Sequence, residues 1–226
     1  MALLKSSFGE LSGTFGELVF RNRHGKTFVY KKPLHHKISN SAAAVRSRNM
    51  FATAHRFARC IRLNELLKGA WKSFPHKSDM YINKILACNS PLIDNLLFTV
   101  NNMITPDTRS ENPVKNIIMH PERINVIVSD DNELLQKDTT IYEHEKLIIF
   151  AAVLDPAVEG LLMCDIVELY TGKIAPGMNF FVEFTKEQSE LFCNYERYII
   201  YAATVECVRA DRFIWTKTRA WEGRIH

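Results

Sequence analysis

The triplet Gly25-Lys26-Thr27 has residue types that could bind a phosphate, because the phosphate-binding loop of nucleotide-binding proteins ends in Gly-Lys-Ser/Thr. That motif also requires a glycine at position 20, where this chain has Phe20. The triplet lies between two predicted strands, so no helix N-terminus is available there to bind a phosphate. We therefore predict a turn at Gly25 and no nucleotide cofactor.

Clusters of acidic and histidine residues could instead bind a metal ion. In Glu143-His144-Glu145, neighbouring residues of a strand point to opposite faces, so the three side chains cannot converge on one ion. The run Ser129-Asp-Asp-Asn-Glu133 lacks the spacing and the central glycine of a calcium-binding loop. The pair His35-His36 alone is too small a ligand set. The sequence therefore predicts no metal site.

Cysteines are the remaining candidate nucleophiles. The chain has five and no Cys-x-x-Cys pair, which is typical of reduced, buried thiols: Cys60, Cys88, Cys164, Cys193 and Cys207. Cys60 lies one helical turn from Arg56, whose charge could lower the pKa of the thiol, but it also adjoins Ile61 in a predicted packed helix. No nucleophile elbow occurs. We predict a non-enzymatic protein, and an enzyme whose catalytic residues meet only in three dimensions is the third alternative.

The strongest chemical signal is a basic segment. No Asp or Glu occurs between Glu17 and Glu65, a stretch of 47 residues with eleven Lys or Arg and four His. Residues 1–76 carry a net charge of +11 and residues 77–226 a net charge of −7. The segment is either a solvated basic face or one that takes its counterions from an external polyanion, the acidic remainder of the chain or a second copy. The candidate contact residues are Arg21, Arg23, Lys26, Lys31, Lys32, Arg48, Arg59, Arg62, Phe28 and Tyr30.

A short β-hairpin is predicted to position the first of these residues. Leu18–Arg21 and Thr27–Lys31 are rich in β-branched and aromatic residues and are separated by a turn, and Pro33 ends the second strand. Before the hairpin, Phe8-Gly-Glu-Leu11 returns as Phe15-Gly-Glu-Leu18. This repeat predicts two similar tight bends with Phe and Leu packed inward.

An amphipathic helix is predicted from Ser41 to about Lys68, with Ser39 or Ser41 as its N-cap and Gly69 as its end. Residues at helical spacing form an apolar face: Phe51, Ala54, Ala58 and Ile61. Another face is basic: Arg48, His55, Arg59 and Arg62. The helix is therefore expected to pack on one side and to present a basic stripe on the other.

The remainder of the chain is predicted to be mostly strands. Two shorter helices, beginning near Ser78 and at Ser90-Pro91, precede the segment 105–113, whose Pro, Asp, Ser and Asn residues predict a linker. Seven short strands at regular spacing are then typical of an immunoglobulin-like β-sandwich: Val114–Met119, Ile124–Val128, Leu147–Leu154, Leu161–Leu169, Asn179–Phe184, Tyr198–Val208 and Phe213–Trp221. The prediction is an α+β protein with four segments: a Gly-rich basic β-hairpin (1–38), helices with a basic stripe (39–104), the linker (105–113) and an antiparallel immunoglobulin-like β-sandwich (114–226).

The last predicted strand, Phe213–Trp221, alternates aromatic and charged residues on one face. Lys217 and Arg219 lie between the aromatic residues of that face. It is therefore either core with charged residues at the rim or a surface for a partner, with cation–π contacts. The sequence leaves both alternatives open.

The stretch Gly13–Pro33, followed by Ser47-Arg-Asn-Met-Phe-Ala and Phe57-Ala, resembles a family of uncharacterised Bacteroidota proteins. Members of that family have a Gly-rich basic hairpin ending in a basic residue and Pro, an Arg-containing helix and an immunoglobulin-like C-terminal part. The resemblance implies no known activity and no catalytic residue. This chain differs in having Ser39–Ala44 where a Pro-rich link usually follows the hairpin.

The leading functional hypothesis is a structural protein that self-associates through its basic arm and acidic sandwich into a filament, ring or virion-like assembly. The alternative is nucleic-acid binding, in which the basic third contacts phosphates of DNA or RNA while Phe28 or Tyr30 stacks on bases. No apolar run approaches the about 18 residues that cross a bilayer, and no signal or transit pattern begins the chain. We therefore expect a cytoplasmic protein, or a component of an assembly made in the cytoplasm, with no membrane insertion and no small-molecule substrate.

Overall fold

The computed structural model describes residues 2–4, 12–23, 26–32, 39–129, 145–209 and 212–225. Four α-helices and three antiparallel sheets lie within these ranges, so the predicted α+β class is confirmed. The chain divides into two compact units, Met1–Val45 and Arg46–His226. None of the described helices is both long enough and apolar enough to cross a membrane.

The first unit contains a small antiparallel sheet with the strand order β1-β4-β3-β2. Its strands are β1 (Ala2–Leu4), β2 (Gly13–Phe15), β3 (Leu18–Arg23) and β4 (Lys26–Lys31). The predicted hairpin of β3 and β4 is confirmed. Three other predictions, the turn at Gly25, the strand end at Pro33 and the bend at Phe8–Leu11, lie outside the described residues.

The turn between β2 and β3 contains the second copy of the sequence repeat. Gly16 has a φ of 56°, a left-handed conformation that glycine adopts without strain. Phe15 and Leu18 flank the turn and are 80% and 42% exposed, so the prediction that they pack inward is wrong. The reason is that β2 is a three-residue strand at the edge of the sheet, where the described part of this unit offers no layer to cover them.

Helices come first in the second unit. Helix α1 is Ala42–Leu63, and its residues from Arg46 onward belong to this unit. It is followed by α2 (Glu65–Ser73) and α3 (Tyr81–Asn89). The first of the two predicted shorter helices is therefore confirmed as α3. The second is wrong: Ser90–Leu92 forms a single 3₁₀ turn, and the left-handed residues that follow at 95 and 96 prevent its continuation.

Asn64 explains why the long predicted helix is two helices. Its Oδ1 accepts hydrogen bonds of 3.2 Å from the backbone N–H groups of Leu66 and Leu67, which caps the N-terminus of α2. Its Nδ2 donates to Glu168 Oε2 at 3.1 Å and to Thr171 Oγ1 at 3.0 Å. Both groups of this buried amide are thus satisfied, and the helix break is fixed to a neighbouring strand.

The prediction that Gly69 ends a helix is wrong, because this residue lies inside α2. A Cβ atom at this position would lie 2.2 Å from Cζ of Phe213. Glycine is therefore explained by close approach, because the aromatic ring packs directly on the helix backbone.

Two further sheets complete the second unit. The larger has the order β11-β10-β7-β8, with β12 also paired to β10, and the smaller has the order β5-β6-β9. The elements are β5 (Val114–His120), β6 (Arg123–Val128), β7 (Glu145–Pro156), β8 (Cys164–Lys173), β9 (Asn179–Glu183), α4 (Lys186–Cys193), β10 (Tyr195–Arg209), β11 (Arg212–Trp215) and β12 (Arg219–Arg224). Six of the seven predicted strands therefore exist with shifted ends.

Strand β7 lies at the centre of the second unit and is buried on both faces. Every residue of Leu147–Leu154 is at most 1% exposed. One face of the larger sheet packs with α1, α2 and α3. The other face packs with the smaller sheet and with Phe192 of α4. The unit thus has three layers, and a continuous apolar run rather than an alternating one is what two-sided burial requires.

The predicted immunoglobulin-like sandwich is not confirmed. The two sheets do face each other across a shared core, but helices cover the outer face of the larger sheet. The prediction also omitted α4, although its capping box is visible in the sequence. Thr185 Oγ1 accepts from the backbone N–H of Gln188 at 3.2 Å, and Gln188 Oε1 accepts from the backbone N–H of Thr185 at 2.8 Å.

The predicted strand Phe213–Trp221 is in fact two strands, β11 and β12, interrupted at residues 216–218. At the interruption, the Lys217 backbone N–H donates to Ser110 O at 2.9 Å, and its Nζ forms an ion pair of 2.8 Å with Glu111. The segment 105–113, predicted as a linker, therefore lies within the second unit. The aromatic residues of β11 and β12 are half-buried against the two cores, which favours the first of the two alternatives for this face.

Candidate functional site

The register of β3 and β4 determines which predicted contact residues share a face of the first sheet. Directly opposed residues of antiparallel strands lie on the same face, and the opposed pairs here include Val19 with Tyr30, Arg21 with Phe28, and Arg23 with Lys26. Four of the ten predicted contact residues with described side chains thus lie on one side of the sheet. We call this the basic–aromatic face: Arg21, Lys26, Phe28 and Tyr30.

The basic–aromatic face combines exposed cations with aromatic rings. Arg21 and Lys26 are exposed, and Phe28 and Tyr30 are half-buried. Arg21 Cζ lies 5.8 Å from the centroid of the Tyr30 ring, within the range of a cation–π contact. The arrangement presents positive charge beside flat apolar rings, which is the combination that binds single-stranded nucleic acids in many sheets.

The opposite face of the same sheet carries an apolar patch with one cation. Phe15 is opposed to Leu18 across the turn, and Leu18 is opposed to Lys31. We call these three residues the hairpin patch. Lys31 Nζ lies 3.1 Å from a carboxylate oxygen of Glu17, and both side chains are about two-thirds exposed. Lys32 is also exposed, at the end of β4.

The first unit has no buried apolar core among its described side chains. Thr27 is buried, whereas Val19, Phe20 and Val29 are only half-buried. A unit of about 45 residues can bury little apolar surface by itself. The described apolar side chains of this sheet are accordingly half-buried or exposed.

The other predicted contact residues lie on α1 in the second unit. Arg48, Arg59 and Arg62 are exposed, and His55 is half-exposed between them. Arg59 and Arg62 form no ion pair with a carboxylate in the described ranges. The predicted basic stripe of the helix is therefore present on its solvent side.

The predicted apolar face of α1 is confirmed for Ala54, Ala58 and Ile61 but wrong for Phe51. Seven residues place Phe51 on nearly the same side of the helix as the buried Ala58, but no residue of α1 before Thr53 is buried, so Phe51 lies ahead of the part of the helix that packs on the core. Phe51 is 60% exposed and its ring contacts His55, with the centroids 4.2 Å apart. The solvent side of α1 is thus basic and aromatic.

The environment of Cys60 contradicts a lowered thiol pKa. Burial is the main cause that raises the pKa of this thiol to about 12, and the charges of Glu168 and Asp165 raise it further. The Cys60 Sγ also donates to Ile166 O at 3.6 Å. Cys60 is therefore a protonated core thiol at neutral pH, not an activated nucleophile.

Metal-ligating side chains do not cluster in the described part of the chain: no group of three or more His, Cys, Asp or Glu is placed to hold an ion there. The sequence clusters rejected above, at His35-His36, Ser129–Glu133 and Glu143–Glu145, lie partly or wholly outside the described residues. The structure thus leaves those three predictions untested.

An open groove of about 970 Å³ lies where the β5–β6 turn, the end of β9 and α4 meet. Its lining includes His120, Glu122, Arg123, Glu183, Lys186 and Cys193. Arg123 Cζ is 4.2 Å from the Phe181 ring centroid, so its charge lies over a ring. No local sequence motif indicates this groove, because its residues come from two distant segments, 120–123 and 183–193.

Comparison of the chain with protein-family models, with curated protein sequences and with solved structures finds no match. The resemblance to the Bacteroidota family therefore stays a prediction. Functional inference for this protein depends on its own geometry: a sheet with one basic–aromatic face and one exposed apolar patch, and a helix with a basic solvent side.

Proposed function

We propose that this chain is a non-enzymatic structural protein that assembles with other copies of itself, with its N-terminal sheet docking on the second unit of a neighbouring copy. Such a contact between two different surfaces is heterologous, so it produces a ring or an open filament. We expect the assembly to form in the cytoplasm.

The observation that carries this proposal is the hairpin patch, on a sheet whose described side chains form no buried apolar core. Phe15 is 80% exposed, at the edge of a sheet whose other described apolar side chains are at best half-buried. Large exposed apolar residues on a small sheet favour association, because burial of apolar area provides most of the free energy of protein–protein contacts. A second copy is always available as the partner that covers them.

Charge supports the same direction of docking. The stretch between Glu17 and Glu65 contains Lys and Arg but no Asp or Glu, whereas residues 77–226 contain 22 Asp or Glu and 15 Lys or Arg. Surfaces of opposite charge accelerate encounter and disfavour contacts between identical surfaces. The sheet of one copy is therefore expected to prefer the acidic part of another copy's second unit, within residues 77–226, over a second sheet.

The self-association is expected to depend on the hairpin patch and on ionic strength. The wild-type protein should form species larger than a monomer at low salt and dissociate progressively as salt screens the charges. The variant Phe15→Ser/Leu18→Ser should stay monomeric under the same conditions. Sedimentation velocity over a range of protein and salt concentrations measures both effects.

A control variant removes two exposed apolar side chains from another part of the protein. Val100 and Ile118 are 43% and 42% exposed in the second unit, so Val100→Ser/Ile118→Ser should leave the sedimentation profile unchanged. A wild-type protein that stays monomeric at low salt and high concentration contradicts the proposal. So does a hairpin-patch variant that assembles like wild type.

Nucleic-acid binding is the second candidate, and the basic–aromatic face favours it. Because that face is opposite the hairpin patch, binding of a polyanion there is compatible with assembly through the patch. Cations on the face would contact phosphates while Phe28 or Tyr30 stacks on a base. A nucleoprotein assembly would use both faces of one sheet.

Binding to random single-stranded DNA and RNA at about 50 mM salt tests this candidate, with an expected log–log salt slope of about −5 if about six phosphates are neutralised. Tyr30→Ala should weaken binding by one stacking contact, whereas Phe15→Ala on the opposite face should not. Fluorescence anisotropy with labelled oligonucleotides measures both. Absence of binding at low salt removes the candidate.

A further inference from the structure

The loop between β7 and β8, residues 157–163, presents four large apolar side chains to solvent. Val158, Leu161, Leu162 and Met163 are 41–52% exposed. They are nearly consecutive, so they form a patch rather than scattered single residues. Contiguous exposed apolar side chains on a folded unit usually mark a contact surface.

Hydrogen bonds hold both ends of this β7–β8 loop. The Asp155 backbone N–H donates to Met163 O at 3.2 Å, and the Ala157 backbone N–H donates to Asn194 O at 2.9 Å. Asp155 has a left-handed backbone with a φ of 58°, a conformation that is costly for a residue with a Cβ and that persists only where surrounding contacts hold it. Arg197 supplies such a contact, because its Nη1 donates to Asp155 Oδ2 at 2.8 Å.

Carboxylates surround the loop. Glu159 in the loop and Glu196 at the start of β10 are exposed and form no ion pair with a cation in the described ranges. Asp165 follows the loop and is one of the charges that, after burial, raise the pKa of the Tyr195 hydroxyl. The apolar patch therefore has an acidic border.

Two cations lie nearby and leave that border acidic. Arg197 is already paired with two carboxylates, those of Asp155 and Glu222. Arg56 of α1 is the other cation. Burial raises the pKa of Cys164 at the start of β8, and the charge of Arg56 lowers that pKa in part. Neither cation is placed to neutralise Glu159 and Glu196, which pair with none of the described cations.

We propose that the β7–β8 loop is the surface on which the hairpin patch of a second copy docks. The loop is apolar with an acidic border. The hairpin patch is apolar except for Lys31, which pairs with Glu17, and it has the exposed Lys32 beside it. Phe15 and Leu18 would cover Leu161 and Leu162 while the lysines approach Glu159. This inference depends on the proposed self-association and names the surface that receives the sheet.

The test combines two variants that each lack one half of the contact. The patch variant is Phe15→Ser/Leu18→Ser, and the loop variant is Leu161→Ser/Leu162→Ser. Each variant alone should self-associate at least about tenfold more weakly than wild type, because both surfaces are expected to lie at the centre of the interface. Unchanged melting temperatures, followed by circular dichroism, verify that both variants fold.

An equimolar mixture of the two variants should form one-to-one dimers and nothing larger. The loop variant still has an intact hairpin patch and the patch variant still has an intact loop, so one productive contact is possible and no second one can extend it. Sedimentation velocity distinguishes this dimer from the monomers of each variant and from the larger wild-type species. Glu159→Lys, a change at an exposed residue, should weaken wild-type association in the same assay without affecting folding.

The possible failures are distinguishable. A monomeric wild type at low salt overturns the proposed function itself. A wild type that assembles together with a loop variant that assembles equally well overturns this inference alone. A loop variant that is monomeric but forms no dimer with the patch variant also overturns it, because the loop then does not receive the patch.

Discussion

Replacement of Phe57 by alanine is expected to lower the free energy of unfolding of the second unit by about 3–5 kcal/mol. Phe57 is fully buried, and its ring centroid lies 5.3 Å from that of Phe98 and 5.7 Å from that of Tyr201. The truncation removes the apolar contacts and leaves a cavity between α1 and the central sheet. Urea denaturation followed by circular dichroism measures the change.

Phe51→Ala provides the matched control in the same helix. Phe51 is 60% exposed, so its truncation should change the free energy of unfolding by no more than about 0.5 kcal/mol. Equal effects of the two substitutions would contradict the orientation of α1. If α1 is oriented as described, its basic solvent side is available for contacts, whereas a rotated helix would bury it.

The second unit is expected to lose stability steeply as the pH rises above about 9. Burial raises the pKa of Cys60 from 9.0 to about 12 and that of Cys164 from 9.0 to about 11. Burial also raises the pKa of Tyr201 well above 10.0, and the Tyr201 hydroxyl donates to Thr99 O at 2.6 Å. In alkali the unfolded chain therefore releases protons that the native protein retains.

The sign of the pH effect follows from these raised pKa values. Stability from the protonated groups is fully present below pH 9 and declines as the pH approaches their native pKa values. Each group that stays protonated only in the native state lowers the free energy of unfolding by up to about 1.4 kcal/mol per pH unit. Urea denaturation at pH 8 to 11 measures the slope, and Cys60→Ala/Cys164→Ala should make it shallower.

Thiol labelling at pH 8 provides an independent check of the same burial. Cys193 is exposed and should react with a disulfide reagent in the native protein, whereas the buried Cys164 should react only after unfolding. Cys60 is half-buried, but its raised pKa keeps it protonated at pH 8, so it should react much more slowly than Cys193. Mass spectrometry of labelled peptides identifies the modified residues. Rapid native labelling of Cys60, or an alkaline slope of zero, would show that these thiols are not buried.

The sequence predicted elements well wherever one local pattern decides the structure. The apolar runs of β7 and β10 and the hairpin strands rich in β-branched and aromatic residues are decided by local composition, and all of them exist. The helix break at Asn64 was missed because periodicity continues through it, and the capping role of its side chain depends on strand β8. Gly69 was misassigned for a related reason, since only the packed Phe213 ring explains that glycine.

The candidate site was predictable in its residues but not in their grouping. Charge and residue type identified Arg21, Lys26 and Tyr30, and the alternation of strand residues could have assigned them to one face, given the register of the hairpin. The exposed Phe15 and the β7–β8 loop were not predictable in the same way. A run of apolar residues indicates a core in any sequence-based argument, and only the missing cover layer distinguishes a contact surface from a core.

The two-sided burial of β7 gives this protein a built-in reporter. Amide hydrogens of residues 148–153 exchange with deuterium only when both covering layers open, so their slowest exchange rates measure the global stability of the second unit. The β7–β8 loop exchanges instead through small local fluctuations. Protection that increases at the loop while the central strand stays unchanged would therefore locate a bound partner without any mutation.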